Sequence, residues 1–436
     1  MKNNDKVSVI TLGCSKNNVD SERLMNQIKV NHRKLVNDPE NADTVIINTC
    51  GFIEAAKQES IDTILNAVSL KRQGKIKKVI VAGCLSERYM NDLRLEIPEV
   101  DSYFGTEDYE GIIKELGGEL KYELLGERLL TSPAHSAYLK ISEGCDHPCS
   151  FCAIPIMRGK HKSKPLEDLL TEARFLASKG TKELVIIAQD TTDYGIDISG
   201  KRTISNLLNS LSEIKGIEWI RLMYAYPSKF PDDLIDTIAC NPKILKYLDI
   251  PLQHISDSVL KSMRRGVTSK RTRDLLFKLR ERIPGLTLRT TLITGYPNET
   301  EKDFEDLYNF IQEVRFDRLG VFTFSVEENT SSFILGDPVP EKVKIVRKNK
   351  IMEVQKQIST ELNSTFIGKT LKVLVDRIEG DYYVARSYRD APEVDGEVLI
   401  SVKNNKLKTG EFYSVEIIDS DEYDLYAELP GKRSVV

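Results

Sequence analysis

Three cysteines stand within eight residues, at Cys145, Cys149 and Cys152, in the stretch Gly144-Cys-Asp-His-Pro-Cys-Ser-Phe-Cys152. Few features constrain a fold as strongly, because a loop dense in thiols has to be held open by the elements on either side. Three thiolates at C-x3-C-x2-C spacing can hold three irons of a cubane 4Fe-4S cluster, leaving the fourth iron open to a substrate or cofactor. Two other readings compete. Closely spaced cysteines also bind zinc, but a structural zinc takes four ligands and only His147, inside the loop, is at hand as a fourth. A disulfide framework fits less well, since the chain opens Met-Lys-Asn-Asn-Asp with no apolar signal region and is expected to be cytoplasmic with reduced thiols.

A chain of 436 residues is too long for one core, so two or three domains are expected. No apolar run approaches the length that spans a bilayer, so no membrane partner is expected. The formal net charge is −4, which gives no global basic field for nucleic acid.

Residues 5–121 read as a first, parallel α/β domain. Lys6–Leu12, Asp43–Asn48 and Lys78–Ala82 are β-branched runs, with helical patterns near Ser21–Lys29, Glu54–Leu70 and Ser86–Glu96. Each run ends in a cysteine: Gly13-Cys14, Thr49-Cys50-Gly51, Gly83-Cys84. In an open parallel sheet the carboxyl ends of the strands line one edge, where ligands bind. A lone cysteine there is usually a small core residue. Three in the same position point to ligands of a second cluster, again with one open iron. Cys240, at the end of a helical pattern, reads as a buried or half-buried thiol.

From 131 to 363 strand and helix alternate six times. The strand candidates are Tyr138–Ser142, Glu183–Ala188, Trp219–Tyr224, Tyr247–Pro251, Thr287–Ile293 and Arg318–Phe324, with helices such as Pro165–Ser178 and Thr300–Val314 between them. This predicts a partial, TIM-like (β/α)6 barrel, with its chemistry at the carboxyl ends of the strands. The three-cysteine loop follows the first strand and so belongs at that end. Gln189-Asp190, Gln253-His254 and Gly295-Tyr-Pro-Asn-Glu299 follow other strands, though such residues also serve as ordinary turns and caps. No Walker loop or G-x-G-x-x-G is present.

A charged helix over Pro340–Leu362 leads to residues 366–434, where Lys369–Val375, Tyr382–Arg386, Glu397–Ile400 and Tyr413–Ile418 predict a small, OB-like β-barrel. This segment holds 10 Lys and Arg against 14 Asp and Glu, so the whole acidic excess of the chain lies in it, with a cluster at Asp419, Asp421, Glu422 and Asp424. A nucleic-acid-binding barrel presents a basic groove. An acidic one fits a basic partner better, and the plain alternative is a solvated surface.

Over almost its whole length the chain resembles the methylthiotransferases of the radical S-adenosylmethionine (SAM) superfamily. The cysteine loop with Phe151 before its last cysteine is similar to the superfamily signature. The order of three spaced cysteines, barrel and C-terminal TRAM domain is that of the family. Asn48-Thr-Cys-Gly-Phe-Ile-Glu-Ala-Ala-Lys57, Ala188-Gln-Asp-Thr-Thr-Asp-Tyr-Gly195, and Ala391-Pro-Glu-Val-Asp-Gly396 after Arg386-Ser-Tyr-Arg389 resemble the branch that modifies small-subunit ribosomal protein S-twelve. One departure is Asn298, where the family usually has glycine. The resemblance implies two 4Fe-4S clusters, one on Cys145, Cys149 and Cys152 that binds SAM, and an auxiliary one on Cys14, Cys50 and Cys84. It implies SAM used twice, as methyl donor and as source of a 5′-deoxyadenosyl radical that takes hydrogen from the β-carbon of an aspartate. Gln189, Asp190 and Gly295 are the SAM contacts it suggests. A flavodoxin-like or ferredoxin-like electron donor is implied as a partner. The other branch, which modifies N6-isopentenyladenosine in tRNA, is the alternative, and the acidic barrel speaks against it.

Overall fold

The structure is a computed structural model and describes residues 5–403 and 406–430. The expected end of the third domain at 434 lies outside the described residues.

The first sheet has five parallel strands in the order β2-β1-β3-β4-β5. They are β1 (Lys6–Thr11), β2 (Lys34–Leu35), β3 (Thr44–Thr49), β4 (Lys78–Gly83) and β5 (Ser102–Tyr103). Helices cover both faces, so the central strands need no polar side: Val45, Ile46, Ile47, Val79, Ile80 and Val81 are all buried. Helix α1 (Ser15–Val30) begins at Ser15, not Ser21. Asn17 and Asn18 are weak helix formers, but Asn17 is fully buried and its amide donates to the carbonyls of Leu12 (2.7 Å) and Thr49 (3.1 Å). Tertiary contacts therefore override propensity in that turn. Helix α2 spans Glu54–Arg72, and helix α3 spans Cys84–Glu96.

The second sheet carries six parallel strands in chain order, β6 (Ser136–Lys140), β9 (Glu183–Ile187), β10 (Trp219–Leu222), β11 (Ile244–Asp249), β12 (Thr287–Thr294) and β13 (Arg318–Thr323). β6 and β13 are its two edges, so the barrel is partial and open. The expected first strand stops early at Lys140. Beyond it, β7 (Ser142–Glu143) pairs antiparallel with β8 (Lys162–Ser163), clasping the base of the cysteine loop. β10 ends before Tyr224, which has left-handed φ of 58°. β11 ends before Pro251, which has no N–H to give a ladder. Pro165 stands at the cap of the helix Leu166–Ser178, one place before its expected position in the first turn.

Alternation divides this sheet's side chains. Leu184 and Ile186 face the outer helices, while Val185 and Ile187 face inward with Trp219, Met223, Leu245 and Tyr247. The inner cluster is completed by Leu374 and Ala391 of the third domain, and Phe412 meets Trp219 edge-on at 4.7 Å. The third domain thus plugs the amino end of the barrel and leaves the carboxyl end free for chemistry.

That domain follows the helix Glu341–Ser364 and is a closed barrel in the order β14-β15-β16-β18-β17. Its strands are β14 (Thr370–Glu379), β15 (Tyr382–Ser387), β16 (Val398–Ser401), β17 (Phe412–Ser420) and β18 (Leu425–Glu428). The last is four residues long, too short to give a period. The acidic cluster is largely turn chemistry. Asp421 accepts from the amides of Tyr423 and Asp424, Asp424 accepts from the amide of Glu397, and Glu422 pairs with Lys356 of the preceding helix. No described helix is long and apolar enough to cross a membrane.

Candidate metal centres and the cleft between them

The sheet topology brings Cys14, Cys50 and Cys84 together. Cys14 is the residue before α1, Cys50 follows β3, and Cys84 opens α3 directly after β4. Cys84 lies within electrostatic reach of both Cys14 and Cys50. Gly13 allows the approach: with φ of 92°, a side chain there would be strained, and a Cβ would sit 2.7 Å from Cys50 Cβ. Ser60 fixes Cys50 from behind, accepting from its amide (3.0 Å) and donating to its carbonyl (2.9 Å).

The second trio rides on the loop clasped by β7 and β8. Gly144 is obligatory there, since its φ is 74° and a Cβ would overlap the Lys160 carbonyl. The loop is pinned by Cys145 N–H to Gly159 O (3.1 Å) and by Ser150, whose amide donates to Met263 O (3.0 Å). Arg265 donates to Cys149 Sγ (3.3 Å), the Tyr226 hydroxyl lies 3.5 Å from that sulfur, and the guanidinium sits over the Tyr226 ring at 4.3 Å. His147 stacks on the Tyr226 ring, with centroids 3.6 Å apart, and bonds Asp190 Oδ2 at 2.6 Å. It is therefore tied into the loop's support and is not aimed at the cysteines as a fourth zinc ligand.

The donor sets suit thiolate-bound iron. All six thiols are free. Burial pushes Cys84 up to about 11, and Cys145 and Cys152 to about 12. Such groups are not primed as nucleophiles, which need depressed values; a bound metal deprotonates them outright. An arginine beside one sulfur of each trio complements the negative charge of a thiolate-ligated cluster.

One of those arginines joins the two domains. Arg158, at the end of the helix Ile154–Arg158 that follows the loop, donates through Nε to Cys84 Sγ (3.3 Å). It also donates to Asp20 (2.8 Å), to Glu143 (3.1 Å) and to Asn17. Lys140 binds the same two carboxylates. Burial opposes ionisation of Asp20, but Lys140 and Arg158 hold it well below the usual carboxylate range. Arg158→Met should leave those carboxylates undercompensated and cost about 3–5 kcal/mol, read as a lower urea midpoint. Arg158→Lys should recover only part of it, because the planar fork is lost.

The residues suggested as SAM contacts are engaged within the protein. Gln189 donates to Glu143 (2.7 Å), and its buried Oε1 has no partner. Asp190 holds His147 and the Thr192 amide (2.7 Å). Gly295 donates to Glu299 (2.9 Å), and its glycine character is required by the Lys344 side chain packed on it. Asn298 makes a long contact, 3.4 Å, to Ser258 O. Cys240 is exposed, contrary to expectation, because Leu234, Ile235 and Ile238 take the buried face of its helix. Sequence reasoning missed Asp20, Lys140, Glu143, Arg158, Tyr226 and Arg265. The only local signal was that Lys140 and Glu143 precede the cysteine loop and Arg158 follows it.

Comparison with known proteins agrees with this architecture. Residues 6–105 match the uncharacterized protein family UPF0004, residues 139–311 the radical SAM superfamily, and residues 367–429 the TRAM domain. The ribosomal protein uS12 methylthiotransferase RimO of Cytophaga hutchinsonii is 52% identical over 97% of this chain and 98% of its own length. That of Bacteroides thetaiotaomicron is 49% identical over 98% and 99%. Among solved structures, the radical SAM methyltransferase TsrM of Kitasatospora setae, determined with tryptophan and a SAM analogue, covers 86% of this chain and 79% of its own at TM-score 0.57 and 12% identity, a likeness of fold. Fold and domain matches together define a radical SAM protein with a TRAM barrel. More narrowly, the chain belongs to the RimO family of methylthiotransferases.

Proposed function

We propose that this chain is a cytoplasmic radical SAM methylthiotransferase that adds a methylthio group to the β-carbon of an aspartate in ribosomal protein uS12. The observation that carries the reading is full-length identity near 50% to relatives of that name. Two cysteine trios at the carboxyl ends of adjoining parallel sheets support it, within the domain division 5–121, 131–363 and 366–434. Cys14, Cys50 and Cys84 would hold an auxiliary 4Fe-4S cluster, and Cys145, Cys149 and Cys152 the SAM-binding one. When bound, clusters and SAM supply the one-electron chemistry that opens an unactivated C–H bond, and the sulfur and methyl group that replace the hydrogen.

The chain's own residues do the rest. Arg265 and Arg158 set positive charge beside one sulfur of each trio. The ribbon of β7 and β8 and the Ser150–Met263 bond fix the loop. Asp20, Lys140, Glu143 and Arg158 lock the two cysteine sites at one spacing, which a transfer between them requires. Gln189, Asp190 and Gly295 line the barrel mouth as SAM-proximal residues. Reduction would come from a flavodoxin-like or ferredoxin-like donor.

The test is an anaerobic assay of reconstituted protein with SAM and reductant, offered a uS12 loop peptide containing the aspartate and, in parallel, isopentenylated tRNA. Mass spectrometry is expected to find the added methylthio group on the peptide alone. Addition to the tRNA alone would keep the chemistry and overturn the substrate.

A further inference from the structure

Lys16 lies in the first turn of α1, two residues beyond Cys14, and its Nζ stands 3.2 Å from the centroid of the Tyr224 ring. Tyr224 follows β10 at the carboxyl end of the barrel. Its φ of 58° is one that an aromatic residue rarely adopts, and such strain concentrates at functional sites. It is held by Thr191, whose amide (3.1 Å) and hydroxyl (3.3 Å) donate to its carbonyl, and by its own amide on Asp249 Oδ2 (3.3 Å). Two residues on, Tyr226 touches Cys149. One short segment therefore spans from the lysine beside the first trio to a sulfur of the second.

The other cations around the two trios are engaged, and Arg265, which meets no carboxylate, donates to Cys149 Sγ and the Pro251 carbonyl. Lys140 and Arg158 share Asp20 and Glu143, and Arg202 pairs with Asp193. Among the described residues, no carboxylate stands within ion-pair distance of Lys16, and its one polar interaction is with the ring face. A half-buried ammonium with an aromatic face on one side attracts an anion to its open side.

We propose that Lys16 is a specificity-determining residue that binds the carboxylate of the side chain being modified, with Tyr224 as its platform. The inference rests on the aspartate reading above. In aspartate the carboxylate is bonded directly to the β-carbon, so the group that fixes the one orients the C–H bond of the other. A site built to bind that anion also rejects the neutral amide of the same shape.

The experiment compares wild type, Lys16→Met and Lys16→Arg on the uS12 loop peptide and on the same peptide with asparagine at the target. Lys16→Met is expected to lower kcat/KM for the aspartate peptide roughly 10- to 100-fold, mainly through KM, and to erase most of the preference over asparagine. Lys16→Arg is expected to keep the preference. Iron content should match wild type in both. The aspartate-to-asparagine ratio is internal to each preparation, so a partly loaded variant still reads it. A Lys16→Met protein whose ratio equals that of an active wild type would overturn the inference and leave the aspartate reading standing. A wild type inactive on the aspartate peptide would overturn that reading, and the inference with it.

Discussion

Replacing Cys84 by alanine is expected to stop methylthio transfer while SAM is still cleaved, whereas replacing Cys149 is expected to stop both. The two thiols lie at separate places in the fold. Cys84 opens α3 at the end of β4 and faces Cys14 and Cys50, while Cys149 sits on the barrel loop under Arg265 and Tyr226. Each variant should bind about half the iron of the reconstituted wild type, since losing one of three ligands removes one cluster and leaves the other. Cys240→Ala should match wild type in iron and in product, because that thiol is exposed at the end of a peripheral helix. The measurements are iron per chain, 5′-deoxyadenosine released, and peptide mass. Normal product from Cys84→Ala would sink the auxiliary assignment, and full iron in Cys149→Ala would sink the other.

Those six cysteines were legible because their signal is local. Three stand in one loop, and each of the others directly follows a β-branched run, so strand-end logic alone places them on one edge. The residues that make the sites work together were not legible. Arg158 meets Asp20 across 138 positions of sequence and Lys140 meets it across 120, and no pattern of spacing announces such a pair. Gln189 and Asp190 were recognised as strand-end polar groups, but the side chains they hold, Glu143 and His147, depend on tertiary placement. The local use of the acidic cluster was illegible for a related reason. A count of charge cannot tell a free carboxylate from one spent on a turn, as Asp421 is, or on a neighbouring lysine, as Glu422 is. The two-residue strands β7 and β8 are too short to carry a period, yet they clasp the loop that matters most.

The same accounting explains how the acidic third domain stays on the barrel, and it yields the second large effect. Glu183, at the start of β9, is fully buried, with Arg221 Nε at 2.9 Å from one oxygen and Arg386 of the third domain at 2.7 Å from the other. Arg221 reaches on to the carbonyls of Tyr388 (2.8 Å) and Ser387 (3.2 Å), and Arg318 of the barrel pairs with Asp390 (2.7 Å). The third domain's carboxylates and carbonyls are thus partly consumed by barrel arginines. Glu183→Gln removes the anion and strands Arg221, so it should cost about 3–5 kcal/mol at this interface. The loss should be visible as a lower urea midpoint and earlier proteolytic release of the C-terminal barrel. Burial disfavours the charged form of Glu183, but Arg386 and Arg221 overcome it and bring its pKa down to about 2, from 4.5. Because the folded value is the lower one, the unfolded chain binds the extra proton between those limits. Its stabilisation is therefore complete above about pH 4.5 and is lost as pH falls toward 2. Wild type should lose stability through that window more steeply than Glu183→Gln, with the two curves converging at the acid end. Parallel curves across the window would show that Glu183 carries no charge-dependent share of the docking, and the arginines would then be held by the carbonyls, by Asp390, and by Asp376, which accepts from Arg386 Nε (2.6 Å), alone.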